Sequence, residues 1–185
     1  MAEEYPLSFR EARPDAAARL AALTQNRHPL YLILDGLTDP RNIGSLFRLA
    51  DAARLAGIYL VNMPNWSDSD RLQRAARATV DYVPYQWIAG QEDFWPADRP
   101  LWALEWTNRS RPYNQWPGGL PAGLVLGNEQ RGVSAYWLQR CRGSLHIPMM
   151  GMNTSMNVHV AAGIAVYRML EKANVLETSQ TISEE

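Results

Sequence analysis

The run IPMMGMNTSMNVHVAAGIAVY, residues 147–167, contains no Asp, Glu, Lys or Arg, yet Asn153, Thr154, Ser155, Asn157 and His159 crowd its front half. A bilayer span is excluded, because Pro148 and Gly151 break the front and the polar cluster would sit unpaired in lipid. A covalent role for Ser155 is weak, since the G-x-S-x-G elbow and a positioned base are missing. The local reading is a buried strand end at 145–148, a tight turn, and a core helix over 155–170. Ser155 is the expected N-cap, its hydroxyl accepting a free backbone N–H of the first turn. Such a cluster either simply caps a core helix or belongs to a ligand site. The rest of the chain must decide.

Two more patches combine small residues with groups able to do chemistry: DPRNIGSLFRLADAARLAG (39–57) and GLVLGNEQRGVS (123–134). Neither is a familiar nucleotide loop. No G-x-G-x-x-G follows the first strand, and no G-x-x-x-x-G-K-[ST] occurs anywhere. His28, His146 and His159 make no metal-ligand spacing, so no metal site is expected.

The elements that must position these patches are readable from hydrophobic periodicity. LYLILD (30–35) is a continuous apolar run of strand length, as for a strand buried on both faces. A helix follows over 43–57, with Leu46, Leu49, Ala50 and Ala53 on one side and Gly57 as its stop. Strands are expected at 58–63, 82–87, 101–106, 123–127 and 145–148, with helices at 71–78 and 134–141. A further helix is expected over 9–27. Alternating strands and helices predict an α/β fold, a mostly parallel sheet flanked by helices. Three domain segments are expected: an N-terminal helical extension (1–28), the main domain (29–173) and a flexible tail (174–185). Ligands in such sheets bind beyond the carboxyl ends of strands. The loops 36–42, 127–132 and 148–155 all lie there.

Composition narrows the partners. At 185 residues and 46% hydrophobic, the chain has ample core for one domain. Cys141 is the only cysteine, and MAEEYPLSFREARPD lacks an apolar leader core, so a cytoplasmic home without membrane contact is expected. All of the 18 cationic residues except Lys172 are Arg. Arginine forks suit phosphate, although a GC-rich genome gives the same bias. Arg71, Arg74 and Arg77 fall at three-residue steps and form either a phosphate-facing stripe or a solvated helix face.

Taken in order, the three patches resemble the three motifs of the SpoU/TrmH branch of the SPOUT RNA methyltransferases. Asn42, Gly44 and Arg48 match N-x-G-x-x-x-R. Gly127, Asn128, Glu129 and Gly132 match the G-N-E-x-x-G turn. Ile147, Pro148, Met149, Gly151, Ser155, Asn157 and Val158 match I-P-M-x-G-x-x-x-S-L-N-V. The likeness covers roughly residues 30–170.

This resemblance implies a C-terminal deep trefoil knot, S-adenosyl-L-methionine as cofactor, and methylation of a ribose 2′-hydroxyl in tRNA or rRNA. It also implies a homodimer through the knot helix, with Arg48 reaching the partner's cofactor pocket. Asn42, Arg48, Glu129, Ser155 and Asn157 would then be the catalytic group. Leu126, Gly127, Asn128, Ile147, Met149, Gly151, Met156 and Asn157 would hold the cofactor. Arg41, Arg48, Arg71, Arg74 and Arg77 would meet RNA. A catalytically silent RNA- or cofactor-binding member of the same fold is the alternative. Three positions depart from the pattern. Met156 replaces Leu, Gln130 sits where Gly is common, and His159 stands where Ser is frequent, expected there as a packed, hydrogen-bonded side chain.

Overall fold

The computed structural model describes residues 6, 26–63, 70–77, 79–90 and 94–176. In chain order the elements are β1 (His28–Asp35), α1 (Pro40–Ala52), β2 (Leu55–Val61), α2 (Asp70–Ala76), β3 (Tyr85–Ile88), β4 (Leu101–Leu104), β5 (Arg111–Pro112), β6 (Ala122–Gly127), α3 (Ala135–Arg140), β7 (Gly143–His146) and α4 (Val158–Lys172). Short 3-10 turns occur at Thr79–Asp81 and Tyr113–Gln115. The strands form one sheet in the order β3-β2-β1-β6-β4-β7-β5. Every pairing in it is parallel. The expected α/β architecture is present.

The apolar run of β1 reads as it does because both of its faces are covered. Leu30, Leu32 and Leu34 pack with Ile43, Leu46 and Phe47 of α1 and with Ala162, Val166 and Met169 of α4. Ile33 points the other way, into a cluster with Val125, Trp95, Val133 and Trp137. Full burial of each such side chain contributes about 1.5–3 kcal/mol. Val175 and Leu176, just past α4, also pack against the first cluster.

Strand β1 pairs with β2 on one side and β6 on the other, so strand order reverses there. Asp35 pairs with both Val61 and Gly127, bringing the carboxyl ends level. A crevice opens at such a reversal. Both loops at its mouth, after β1 and after β6, belong to the patches singled out above.

Most element ends differ from the sequence reading by a few residues, and the short β5 (Arg111–Pro112) is not among the expected strands; two of the differences have a clear physical cause. Helix α1 stops at Ala52, and the chain turns at Arg54 with φ 49°. Gly57 is therefore not the stop but a residue of β2. A Cβ on it would lie 2.9 Å from the Pro84 carbonyl oxygen, which also accepts from Ile58 N. Glycine is used there for close approach of two backbones. Helix α4 starts at Val158, with Asn157 as its cap, three residues past the expected Ser155. Asn157 Oδ1 accepts from His159 N at 3.0 Å, whereas Ser155 is exposed outside the helix. The helix expected over 9–27 lies outside the described residues, apart from Asn26 and Arg27.

Replacing Gly57 by Ala should destabilise the protein by about 1–3 kcal/mol through overpacking against Pro84. Urea denaturation measures this. A neutral or stabilising effect would mean that the β2–Pro84 contact is loose.

Candidate functional site

Helix α1 opens with Asp39 as cap and Pro40 at its first position, both favoured there. Asp39 Oδ1 accepts from Arg41 N at 2.9 Å. This entry fixes the phase of the helix, sending Asn42 inward and Arg41 outward. Asn42 is 5% exposed, and its amide links all three patches. Its Nδ2 donates to Glu129 Oε1 at 3.0 Å. Its Oδ1 accepts from Asn157 Nδ2 at 3.1 Å and lies 3.2 Å from His159 Nδ1.

The hydrogen-bond chemistry leaves one arrangement. An ionised carboxylate only accepts, so the Asn42 NH₂ must face Glu129 and its carbonyl must face Asn157 and His159. Asn157 spends its own carbonyl on the α4 cap, so its NH₂ faces Asn42. His159 must then donate from Nδ1.

The loop after β6 is preformed by its own backbone. Asn128 N donates to Gly132 O at 3.1 Å, and Gly132 N donates back to Asn128 O at 2.8 Å. The Asn128 side chain accepts from Gln130 N and Arg131 N and donates to Gly36 O at 2.7 Å. Positive φ falls on Gly132 (69°), not on Gln130, so the Gln departure leaves the turn intact. A Cβ on Gly127 would overlap Gly132 and Val133, and one on Gly132 would strike the Glu105 carboxylate. Two acids brace the far side of the loop. Glu105 accepts from Val133 N at 2.9 Å, and Asp35 accepts from Ser134 N at 2.7 Å.

Glu129 also accepts from the backbones of Thr38 and Asp39 at 3.3 Å and from the Thr38 hydroxyl. Partial burial alone would push its carboxyl up. Hydrogen bonds from Asn42 and from the backbones of Glu129 itself, Thr38 and Asp39 outweigh that and hold it below the ordinary value. It is a committed anion.

The other expected residues fall into two groups. Arg48 is exposed and makes no hydrogen bond or ion pair among the described residues. It shares the outer face of α1 with Arg41 and Ser45, at helical spacing. Ser155 likewise has no hydrogen-bond partner among the described residues. Met149 and Gly151 are in the exposed third loop, while Ile147 packs against the core. Arg74 lines a cavity of about 600 Å³ with Asp39, Arg41 and Ala75. Gly44 permits this, because a Cβ there would lie 2.8 Å from Ala76 N and force α2 off α1. Arg77 is exposed just past α2. The Arg71 side chain lies outside the description.

Sequence reasoning did not put Thr38, Asp39, Glu105, Trp106 or His159 in the site. The first three act through backbone or loop geometry that has no sequence signal. Trp106 is 53% exposed and stacks on His146 with centroids 5.3 Å apart and 9° between planes. His146 is held by Ser110 Oγ at 2.9 Å. An exposed Trp directly after a strand was the available clue.

A sequence model described as the SpoU rRNA Methylase family matches residues 29–167. The chain belongs to this family. Among relatives of the SpoU chain is YacO of Bacillus subtilis, which bears the name of a TrmH family tRNA/rRNA methyltransferase. It is 30% identical over 83% of this chain and 63% of its own length. A Staphylococcus saprophyticus protein named for the same family is 28% identical over 82% of this chain and 62% of its own. The SpoU chain thus spans under two thirds of the length of these relatives. A crystal structure of an AdoMet-bound rRNA methyltransferase from Sinorhizobium meliloti superposes with TM-score 0.71, at 29% identity over 80% of this chain and 59% of that one. A TrmH/SpoU tRNA modifying enzyme from A. aeolicus shares the fold at TM-score 0.74 and 21% identity, over 94% and 88% of the two chains.

The depressed Glu129 carboxyl gives a signed expectation. A lowered folded-state value adds stability above the ordinary value near 4.5, lost as pH falls through the lowered one. At pH 7 the wild type should melt higher than Glu129→Gln, and the gap should close below about pH 4. Thermal melts of both proteins between pH 3 and 7 check this. A gap independent of pH would show that the charge on Glu129 is irrelevant to folding.

Proposed function

We propose that this SpoU-family chain transfers the methyl group of S-adenosyl-L-methionine to a ribose 2′-hydroxyl of tRNA or rRNA. The observation carrying the reading is the Asn42 amide, which ties the loops after β1, β6 and β7 into one polar centre at the strand carboxyl ends. The name of a further structural neighbour supports the ribose position. It is described as an RNA 2′-O ribose methyltransferase, with TM-score 0.69 and 26% identity over 80% of this chain and 58% of that one.

The residues present fit the cofactor. The third loop is uncharged and exposes Met150 and Met152 almost fully. The second loop is closed on its own backbone at Gly127, while the Glu105 carboxylate abuts Gly132. Trp106 adds a flat apolar surface at the same end of the sheet. Leu126, Gly127, Asn128, Ile147, Met149, Gly151 and Met156 would hold the cofactor largely through backbone groups. When bound, the cofactor supplies an electrophilic methyl on a sulfonium, so the protein's tasks are alignment and charge stabilisation. No group of three His, Cys, Asp or Glu that could hold a metal occurs among the described residues. Arg48 and Arg74 offer forks for substrate phosphate, whereas the Arg41 fork is already paired with Asp39, Nη2 to Oδ2 at 2.8 Å. Glu129 and Asn157 hold Asn42 between them, and Asn157 orients the first turn of α4.

The same proposal includes a homodimer and the deep trefoil knot. Val160, Ile164 and Tyr167 form an exposed apolar stripe on α4, opposite the buried Ala162, Val166 and Met169. Gly163 beside the stripe has open space where a Cβ would stand. A second α4 fits against such a face. Strand β6 lies between β1 and β4 with β7 beyond, so the segment after β7 must pass back across the sheet to reach α1, the path on which the knot is proposed. Arg48, unpaired in its own chain among the described residues, would serve the partner's site.

Incubation with labelled cofactor and total RNA from the source cell, followed by mapping of ribose-methylated positions, tests transfer directly. Label confined to one or a few 2′-oxygens is expected. Saturable cofactor binding without label transfer would favour the silent-member alternative.

Sharing of sites has its own test. Arg48→Ala and Asn157→Ala homodimers should each be nearly inactive. Co-refolded in equal amounts, random mixing should restore about one quarter of wild-type activity, because mixed dimers collect both lesions in one site. Verified mixed dimers without activity would mean that each chain builds its own centre.

A further inference from the structure

We propose that His159 is the proton acceptor for the attacking 2′-hydroxyl, through the Nε2 lone pair that its bond to Asn42 leaves free. This rests on the ribose-methyl transfer proposed above.

Two observations meet in it. The first is the tautomer. Glu129 fixes the Asn42 amide, the Asn42 carbonyl fixes the proton on His159 Nδ1, and the neutral ring therefore presents Nε2 as an acceptor. Glu129, Asn42 and His159 form a chain of carboxylate, amide and imidazole. The negative end supports positive charge arriving at the far end, as second-sphere carboxylates do for imidazoles elsewhere.

The second observation is that no other free base meets the Asn42 amide among the described residues: Asp39 is paired with Arg41, Glu105 accepts from Val133 N, and His146 is stacked on Trp106 beside Ser110. Glu129 is already occupied by donors and held below the ordinary carboxylate value, so it is a poor acceptor. An arginine at position 48 stays protonated at any working pH. Asn42, Asn157 and Ser155 are not basic. His159 is half-buried in the first turn of α4, with Nδ1 3.2 Å from Asn42 Oδ1.

The step balances. The hydroxyl proton moves to Nε2 as the 2′-oxygen bonds to the methyl carbon. The carbon–sulfur bond breaks with its electron pair left on sulfur, and the imidazolium later gives its proton to water. A well-placed base of this kind contributes roughly 10²–10⁴-fold.

The surroundings leave few competing titrations. Of the elements packed against α4, β4 and β6 carry no titratable side chain. The Tyr113–Gln115 turn carries Tyr113, and α1 carries Arg41, Arg48 and Asp51. On α4 itself the charged residues are Arg168, Glu171 and Lys172, at least two turns away.

The discriminating variant is His159→Asn, whose side-chain NH₂ takes the place of Nδ1–H toward Asn42 but offers nothing at Nε2. With cofactor and unmodified RNA, its kcat should fall at least 100-fold while cofactor binding by calorimetry stays within about threefold of wild type. Wild-type kcat should show a rising limb with pH that His159→Asn lacks. His159→Ala should be no more active than His159→Asn. If His159→Asn restores wild-type kcat and pH profile where His159→Ala does not, the histidine only positions Asn42 and the proposal is wrong. A wild-type protein that binds cofactor but transfers nothing to any RNA removes the transfer reading and this one together. An active wild type matched by His159→Asn removes this one alone.

Discussion

A primary amide has a donor end and an acceptor end, and at Asn42 both are committed to different parts of the chain. The donor end meets a carboxylate from the loop after β6. The acceptor end meets the first turn of α4, which follows the loop after β7. Asn42 itself stands at the start of α1, after the loop from β1. Buried at this position, an unsatisfied amide would cost about 1–3 kcal/mol, so the three loops are held in one arrangement by the need to satisfy a single side chain. The secondary positions follow from it. Asn42 and Asp39 N share Glu129 Oε1, which leaves Oε2 turned toward the Thr38 backbone and hydroxyl.

The fold supports this junction by leaving the strand ends level. Asp35, Val61 and Gly127 share one register, and backbone closeness at Gly127 and Gly44 lets the second loop and α2 sit tight against their neighbours. Rigidity sits under the centre, while the third loop above it is exposed and uncharged. That division suits the proposed function, in which a cofactor and a large RNA would enter the same place.

Much of this was legible in the chain before any coordinates. The runs of β1 and β6 are apolar because both faces are covered, and such runs announce themselves. Asn42, Glu129 and Asn157 were readable as a group through the family motifs, and they do meet. The expected Ser155 cap was displaced because Ser and Asn are both good caps two residues apart, and only the Asn42 contact selects Asn157. Gly57 misled because a glycine after a helical run usually stops it, whereas here Arg54 makes the turn. His159 looked like a packed histidine, which it is. Its tautomer is set by a carboxylate thirty residues earlier in sequence, acting through an amide of α1, which packs beside α4 on the same face of the sheet, and local pattern cannot carry that information.

The claim that Asn42 is the common anchor can be examined without substrate. Amide hydrogen exchange should be followed at Thr38, Asp39 and His159 in the wild type and in Asn42→Ala, with Leu32 and Val125 in the sheet as controls. The three site amides lie on opposite sides of the Asn42 side chain and share no other hydrogen-bonded link. Loss of one charge-assisted bond of about 1.5 kcal/mol corresponds to roughly tenfold faster exchange. The account requires acceleration of that order at all three positions together, with the control strands unchanged. Acceleration confined to Thr38 and Asp39, or absent everywhere, would contradict it and leave the loops as independently folded parts.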